Sequence, residues 1–232
     1  MRVRVATTVL GLTAVTVLAL PACSTPSSQT KPTASSATLT GIPVNGERQT
    51  APLSSAALER LLLDESDLGS GYTRTPQRPA RHDDVTVLGC PTLAKLGGDA
   101  VTGSSLDFPR KAKASFTYTG DSNSGVSEEL YSDTAGRLSD STGRIFAAIT
   151  GCPEFQLLSG STAIDITTQR MSAPQLGDER WSMLLTFSAD GRDSVVKQTA
   201  IRSGNVLLTV SGAPALVDQH LDKALAKVTA PR

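Results

Sequence analysis

The fold is decided by residues 181–228, which read WSMLLTFSADGRDSVVKQTAIRSGNVLLTVSGAPALVDQHLDKALAKV. Two parts of this stretch carry apolar side chains at every second position, namely Trp181, Met183, Leu185 and Phe187, and then Val206, Leu208 and Val210. Such alternation is typical of strands with one buried face. We predict three strands here, the middle one over 194–202, joined by turns at 190–191 and 203–205.

The same stretch ends in a segment whose apolar side chains recur every three or four residues, which predicts an amphipathic helix. The positions expected to face the core are Leu216, Val217, His220, Leu221, Ala224, Leu225 and Val228. The positions expected to face water are Asp218, Gln219, Asp222, Lys223 and Lys227.

Further strands and a long helix precede this stretch. Ile164 and Ile166 alternate with polar residues, and two strands over 114–119 and 126–131 flank a hairpin loop over 120–125. After the strand over 126–131 and before Ile164, residues 134–149 place apolar side chains on one side of a helix, with Asp133 as the expected N-cap. The side chains that show this are Ala135, Leu138, Ile145, Phe146 and Ile149.

The first ordered element is predicted to be a helix that Ser54 caps and that runs to about Asp64. A turn over 67–72, a polar loop over 74–84 and a short helix over 93–96 follow. Runs of strands with helices before, between and after them predict an α+β fold, a central antiparallel sheet with helices packed on it. We expect it to be a single domain over residues 53–232.

Residues 1–22 have the features of a lipoprotein signal peptide. Two arginines precede an uncharged segment over 5–20, which is too short for a spanning helix of about 20 apolar residues. The segment ends in Leu20-Pro21-Ala22-Cys23, so the thiol of Cys23 is the predicted lipidation site. Lipid on Cys23 would anchor the chain to the extracytoplasmic face of the cell membrane. The alternative is an ordinary cleaved signal peptide with Cys23 as a chance residue.

Residues 23–52 form a predicted tether. After Cys23 the segment is rich in Ser, Thr and Pro and lacks a sustained apolar period. Such a composition buries too little apolar surface to offset the entropy of ordering. We therefore expect a disordered connection between the anchor and the folded domain.

The other two cysteines, Cys90 and Cys152, are predicted to form a disulfide, because an exported chain meets an oxidising environment. Two free buried thiols are the alternative. A metal site is a poorer interpretation, since the chain has two histidines and no closely spaced cysteines. We expect no metal and no cofactor.

Charge disfavours a nucleic-acid partner. Without residues 1–22 the chain has 20 basic and 22 acidic residues, a formal net charge of −2. Aromatic residues make up 4% of the chain, which leaves few side chains for stacking on bases.

Scattered motifs between residues 58 and 228 resemble the PknH-like extracellular domain family, found on a mycobacterial-type kinase and on actinobacterial lipoproteins. In order, they are Leu61-Leu62-Leu63 before Asp67-Leu68-Gly69, Cys90 before a short helix, the Phe146 helix ending in Cys152, Leu176-Gly177-Asp178-Glu179, and Arg202-Ser203-Gly204-Asn205. The resemblance implies an α+β sensor-like domain with a central antiparallel sheet and a ligand cleft. The resemblance implies two disulfides in the kinase member of the family, whereas this chain has cysteines for one.

Side chains capable of catalysis do not form a recognisable motif in the sequence. His82 lies beside Asp83 and Asp84 in the polar loop, and His220 lies on an apolar helix stripe. Glu128 and Glu129 are adjacent on a strand and therefore point to opposite faces. The remaining candidates have plain structural interpretations: a solvated turn for Asp178 and Glu179, the core for Trp181, and a solvated strand edge for Arg110, Lys111 and Lys113.

These observations favour a non-catalytic, membrane-anchored domain that binds or senses a ligand. The ligand could be a small molecule, a cell-wall fragment or a protein, and no residue of its site is predicted. One alternative is a structural or assembly lipoprotein that acts through protein contacts. Another is an envelope hydrolase that uses His82 or a carboxylate in a cleft.

Overall fold

Nine antiparallel strands form one sheet in the part of the chain that the computed structural model describes, residues 51–77, 85–97, 100, 106, 108–120 and 124–230. The strands are β1 (Tyr72–Arg74), β2 (Val85–Leu88), β3 (Lys111–Tyr118), β4 (Gly125–Ser132), β5 (Glu154–Ser159), β6 (Thr162–Arg170), β7 (Glu179–Ala189), β8 (Arg192–Ser203) and β9 (Val206–Gly212). Their order across the sheet is β1-β3-β4-β9-β8-β7-β6-β5-β2. The described residues fall within one unit, Asn45–Arg232, and the predicted antiparallel α+β domain is confirmed.

Helices pack on both faces of this sheet. They are α1 (Ser55–Glu59), α2 (Glu65–Leu68), α3 (Pro91–Ala94), α4 (Ala135–Thr150) and α5 (Pro214–Thr229). The first face of the sheet carries Val206, Leu208 and Val210 of β9, which join α1, α2 and α5 in one core. The second face carries Phe155, Ile166 and Leu185 among others, which pack with α3 and α4 in another.

The predicted meander and C-terminal helix are confirmed. β7 pairs with β8 from Glu179–Arg202 to Ala189–Arg192, and β8 pairs with β9 from Lys197–Gly212 to Ser203–Val206. All seven positions expected to face the core from α5 are buried. Gly177 precedes β7 with a φ of 63°, and a Cβ there would lie 2.6 Å from the carbonyl oxygen of Arg202, so glycine lets the chain pass close to β8.

The first helix and the short helix before residue 97 differ from the predictions. The helix expected from Ser54 to Asp64 ends at Glu59. A second helix, α2, begins beyond it at Glu65, because Asp64 and Asp67 cap each other's backbone N–H groups, and its last two residues occupy the start of the predicted turn. Ser54 caps α1 as predicted. The short helix lies at Pro91–Ala94 rather than 93–96, since proline fits the first turn of a helix.

The cap of α4 is Thr134 and not Asp133. The Thr134 side chain accepts from the N–H of Arg137, whereas the Asp133 carboxylate accepts from Thr134 N and forms an ion pair with Arg137. The helix therefore begins one residue later than an Asp133 cap would place it.

Three strands were absent from the sequence predictions. β1 and β2 have three and four residues, too few to display a period of two. β5 follows Cys152 and buries Phe155 and Leu157, and it exists as the partner of β6 on one side and β2 on the other.

The predicted disulfide between Cys90 and Cys152 is present. Cys90 directly precedes α3, Cys152 follows α4, and their Cα atoms are 5.9 Å apart. The bond therefore ties the starts of α3 and β5 together on the second face.

Candidate ligand-binding cavity

A cavity lies between α4 and strands β7, β8 and β9 on the second face of the sheet. Its volume is about 430 Å³, part of which is open to solvent. The apolar side chains that line it are Ala100, Leu106, Ile145, Phe146, Met183 and Ala200. The polar side chains are Thr142, Gln198 and Thr209. A mostly apolar cavity with a few polar groups is the usual form of a small-molecule site.

The cavity follows from side-chain size and strand register. Ala200 of β8 is paired with Thr209 of β9, and Gln198 is paired with Met183 of β7. Ala200 and Thr209 are small, so the sheet surface leaves space below α4. On the helix, Thr142 lies one turn from Leu138 and one turn from Phe146, where a larger apolar residue would fill that space.

Thr142 places a buried hydroxyl group on the cavity. It is 6% exposed, and its Oγ1 has no hydrogen-bond partner among the described residues. Buried hydroxyl groups are normally hydrogen-bonded, so an unpaired one facing a cavity indicates a place for a ligand atom or a water molecule. Thr209 is also buried, at 4% exposure.

The sequence carries one signal for this site, a threonine on the apolar stripe of α4. Leu138, Phe146 and Ile149 define the apolar stripe of α4, and Thr142 lies within that stripe. A polar residue on a buried stripe is a reason to look for a partner. Which strand residues lie opposite depends on the register of β7, β8 and β9, which the helix pattern does not give.

The carboxylates singled out in the sequence do not form a catalytic pair. Glu128 faces the first core and Glu129 lies on the other face, where it pairs with Lys113 and accepts from Tyr131. Asp178 and Glu179 both bind the guanidinium group of Arg202, at 3.0 and 3.1 Å. They stabilise the start of β7 against β8 rather than lining the cavity.

Glu128 is buried at 1% exposure, and its Oε2 accepts from the N–H of Leu63 at 2.6 Å. Its Oε1 has no hydrogen-bond partner among the described residues. Burial raises the pKa of this carboxyl, whereas the hydrogen bond from Leu63 and the charge of Lys227 lower it. Burial is the larger effect, so the pKa is about 7. It is a buried group that sequence reasoning assigned no role.

His220 is a core histidine, as predicted. Its Nε2 lies 2.7 Å from the hydroxyl of Tyr72, and burial lowers the pKa of the imidazole, with a smaller contribution from Lys223. The pair joins α5 to β1 across the first core. His82, the other histidine, lies outside the described residues, as does Cys23.

Trp181 and the basic cluster have structural roles. Trp181 is half-buried and packs at the junction of the second core with a smaller one around Leu138 and Leu207. Lys113 is half-exposed on β3 and forms its ion pair with Glu129. Neither feature lies among the residues that line the cavity.

The described residues contain no group of three side chains suited to hold a metal ion. None of the helices in the described part of the chain is long and apolar enough to cross a membrane.

No protein-family model matches this chain, and no curated protein matches it. Among solved structures, it is similar to the extracellular domain of PknH from Mycobacterium tuberculosis, with a TM-score of 0.56. The two are 15% identical, and the match covers 78% of this chain and 98% of that one. The likeness shows that this chain has the fold of the PknH extracellular domain, as the scattered motifs implied.

Proposed function

We propose that this protein is a membrane-anchored lipoprotein whose domain binds a ligand on the extracytoplasmic side without catalysing a reaction. The observation that carries the proposal is the apolar cavity under α4 with the unpaired hydroxyl of Thr142. The fold shared with an extracellular domain supports an extracytoplasmic location, as does the Cys90–Cys152 disulfide.

The cavity favours binding over hydrolysis. Among its described lining residues there is no histidine, cysteine or carboxylate that could serve as base or nucleophile. An assembly lipoprotein would be expected to show a large exposed apolar patch. In the described part of the chain, the exposed large apolar side chains are Leu88, Leu96 and Val195, which lie in separate segments.

Ligand binding is tested by thermal-shift screening of the protein against envelope lipids and peptidoglycan fragments, in parallel with Ala200→Leu. Leucine at this buried position would fill the cavity, so we expect compounds that stabilise the wild type to leave the variant unchanged. Circular dichroism checks that the variant is folded. If no compound stabilises the wild type, and crosslinking captures no partner, the proposal is wrong.

The anchor is tested separately by metabolic labelling with a fatty-acid probe. We expect label on the wild type and none on Cys23→Ala, because the thiol is the acceptor of the lipid. Equal labelling of both proteins would refute lipidation at Cys23 and leave the ligand site unaffected.

A further inference from the structure

We infer that the cavity takes a neutral ligand that joins an apolar chain to a hydroxyl, ester or amide group, and that Thr142 binds that group. The inference rests on the proposed ligand-binding function and assigns the chemical class of the ligand.

The walls of the cavity select for an apolar chain. Ile145 and Phe146 of α4 face Met183 and Ala200 of the sheet across the open space. The space open to the centre of a water-sized sphere is about 40 Å³, whereas a single water molecule needs roughly 10–15 Å³. Such a space accepts the end of a slender chain.

The polar groups select for a ligand that exchanges hydrogen bonds. Thr142 Oγ1 is buried and unpaired among the described residues, so it can donate to or accept from a ligand oxygen without losing another partner. Gln198 and Thr209 line the same space from β8 and β9. A hydroxyl, ester or amide group placed at Thr142 would satisfy its hydroxyl.

The described lining of the cavity favours a neutral ligand. None of the described residues that line the cavity is ionisable. Against these residues a carboxylate or ammonium group would be buried without an opposite charge beside it, which is strongly unfavourable. The exposed guanidinium of Arg170 lies over the Phe146 ring, 5.7 Å from its centroid, and is not among the residues that line the cavity.

Three compounds with the same chain but different charge test this inference: 1-octanol, octanoate and octylammonium, each titrated at pH 7.5 and followed by thermal shift and calorimetry. We expect saturable binding of 1-octanol to the wild type and none to Ala200→Leu. Octanoate and octylammonium should bind at least about tenfold more weakly, because their charges are unpaired in the cavity.

The matched variant for the polar contact is Thr142→Val, which has the same shape without the hydroxyl. We expect 1-octanol to bind it about fivefold more weakly than the wild type, as for the loss of one hydrogen bond. Benzene, an apolar probe without hydrogen-bonding groups, should bind both proteins equally. The unliganded variant should melt no lower than the wild type, since it loses an unpaired hydroxyl.

The outcomes separate the two levels of the proposal. Tighter binding of a charged octyl compound, sensitive to Ala200→Leu, would overturn the ligand class and leave the binding function standing. Equal affinity of 1-octanol for the wild type and Thr142→Val would overturn the role of Thr142. If none of the three compounds binds but an envelope compound does, the inference about ligand class is wrong and the proposed function stands. If no envelope compound binds either, the proposed function is contradicted as well.

Discussion

At Glu128 the fold opposes ionisation of a carboxyl group, because burial raises its pKa. Its carboxyl lies between the first face of the sheet and the segment that joins α1 to α2, with Leu63 N–H as its donor. Lys227 is close enough to act on its charge, but the ammonium group donates to the carbonyl of Leu62 and to Asp67. The protonated form of Glu128 is therefore favoured by folding up to about pH 7.

Glu128→Gln is expected to remove a pH dependence of stability. Below pH 4.5 the wild-type carboxyl is protonated in both folded and unfolded states. Between pH 4.5 and about 7 the folded state binds more protons, so stability falls as pH rises, by roughly 3 kcal/mol in total. Urea unfolding across this range should show the wild type losing roughly 3 kcal/mol relative to the variant, because the lowered pKa of His220, which acts in the opposite direction, is common to both proteins.

The matched control is Glu129→Gln on the opposite face, which leaves the environment of Glu128 unchanged. Parallel stability curves for wild type and Glu128→Gln would contradict the assignment.

The inward direction of Glu128 was predictable, since Val126 and Leu130 on the same strand are buried on that face. That none of the described residues gives it a bonded cation was not predictable, because this depends on where α5 places Lys227.

At the scale of elements, period and capping residues predicted most of the structure. The buried positions of α5 were all predicted, because its apolar stripe spans four turns. Lys227 was expected to face water and is instead half-buried, where it donates to the carbonyl of Leu62 and to Asp67. β1 and β2 were not predicted, because strands of three and four residues are stabilised by their partners rather than by a pattern of their own. The sequence did not predict α2, because its four residues are too few to show a helical period and its start depends on the reciprocal caps of Asp64 and Asp67.

The disulfide links two of these elements, so its removal is expected to be costly. The sequence separation of Cys90 and Cys152 is 62, for which loss of the crosslink lowers the free energy of unfolding by about 4 kcal/mol. Cys90→Ala/Cys152→Ala, in which small apolar residues replace one buried and one half-buried cysteine, should show this loss in urea unfolding. Wild type treated with a reductant is the control and should lose a similar amount. An unchanged midpoint in the double variant would contradict a stabilising role.

At the scale of the whole molecule, the candidate site is a product of topology. Thr142 and Thr209 are far apart in the chain and meet because α4 crosses β7, β8 and β9 on the second face. Sequence patterns predicted the sheet, the helices and the class of fold, and the PknH extracellular domain shares that fold. They gave no residue of the cavity, since its shape depends on the register of three strands beneath one helix.

The central claim is that a ligand occupies the space between α4 and the sheet. The chain has three methionines, Met1, Met171 and Met183, of which Met183 lines the cavity and is 2% exposed. With ¹³C-labelled methionine methyl groups, titration with 1-octanol should shift the Met183 resonance saturably and leave Met171 unchanged. An unmoved Met183 resonance, or equal shifts at Met171 and Met183, would contradict binding in this cavity.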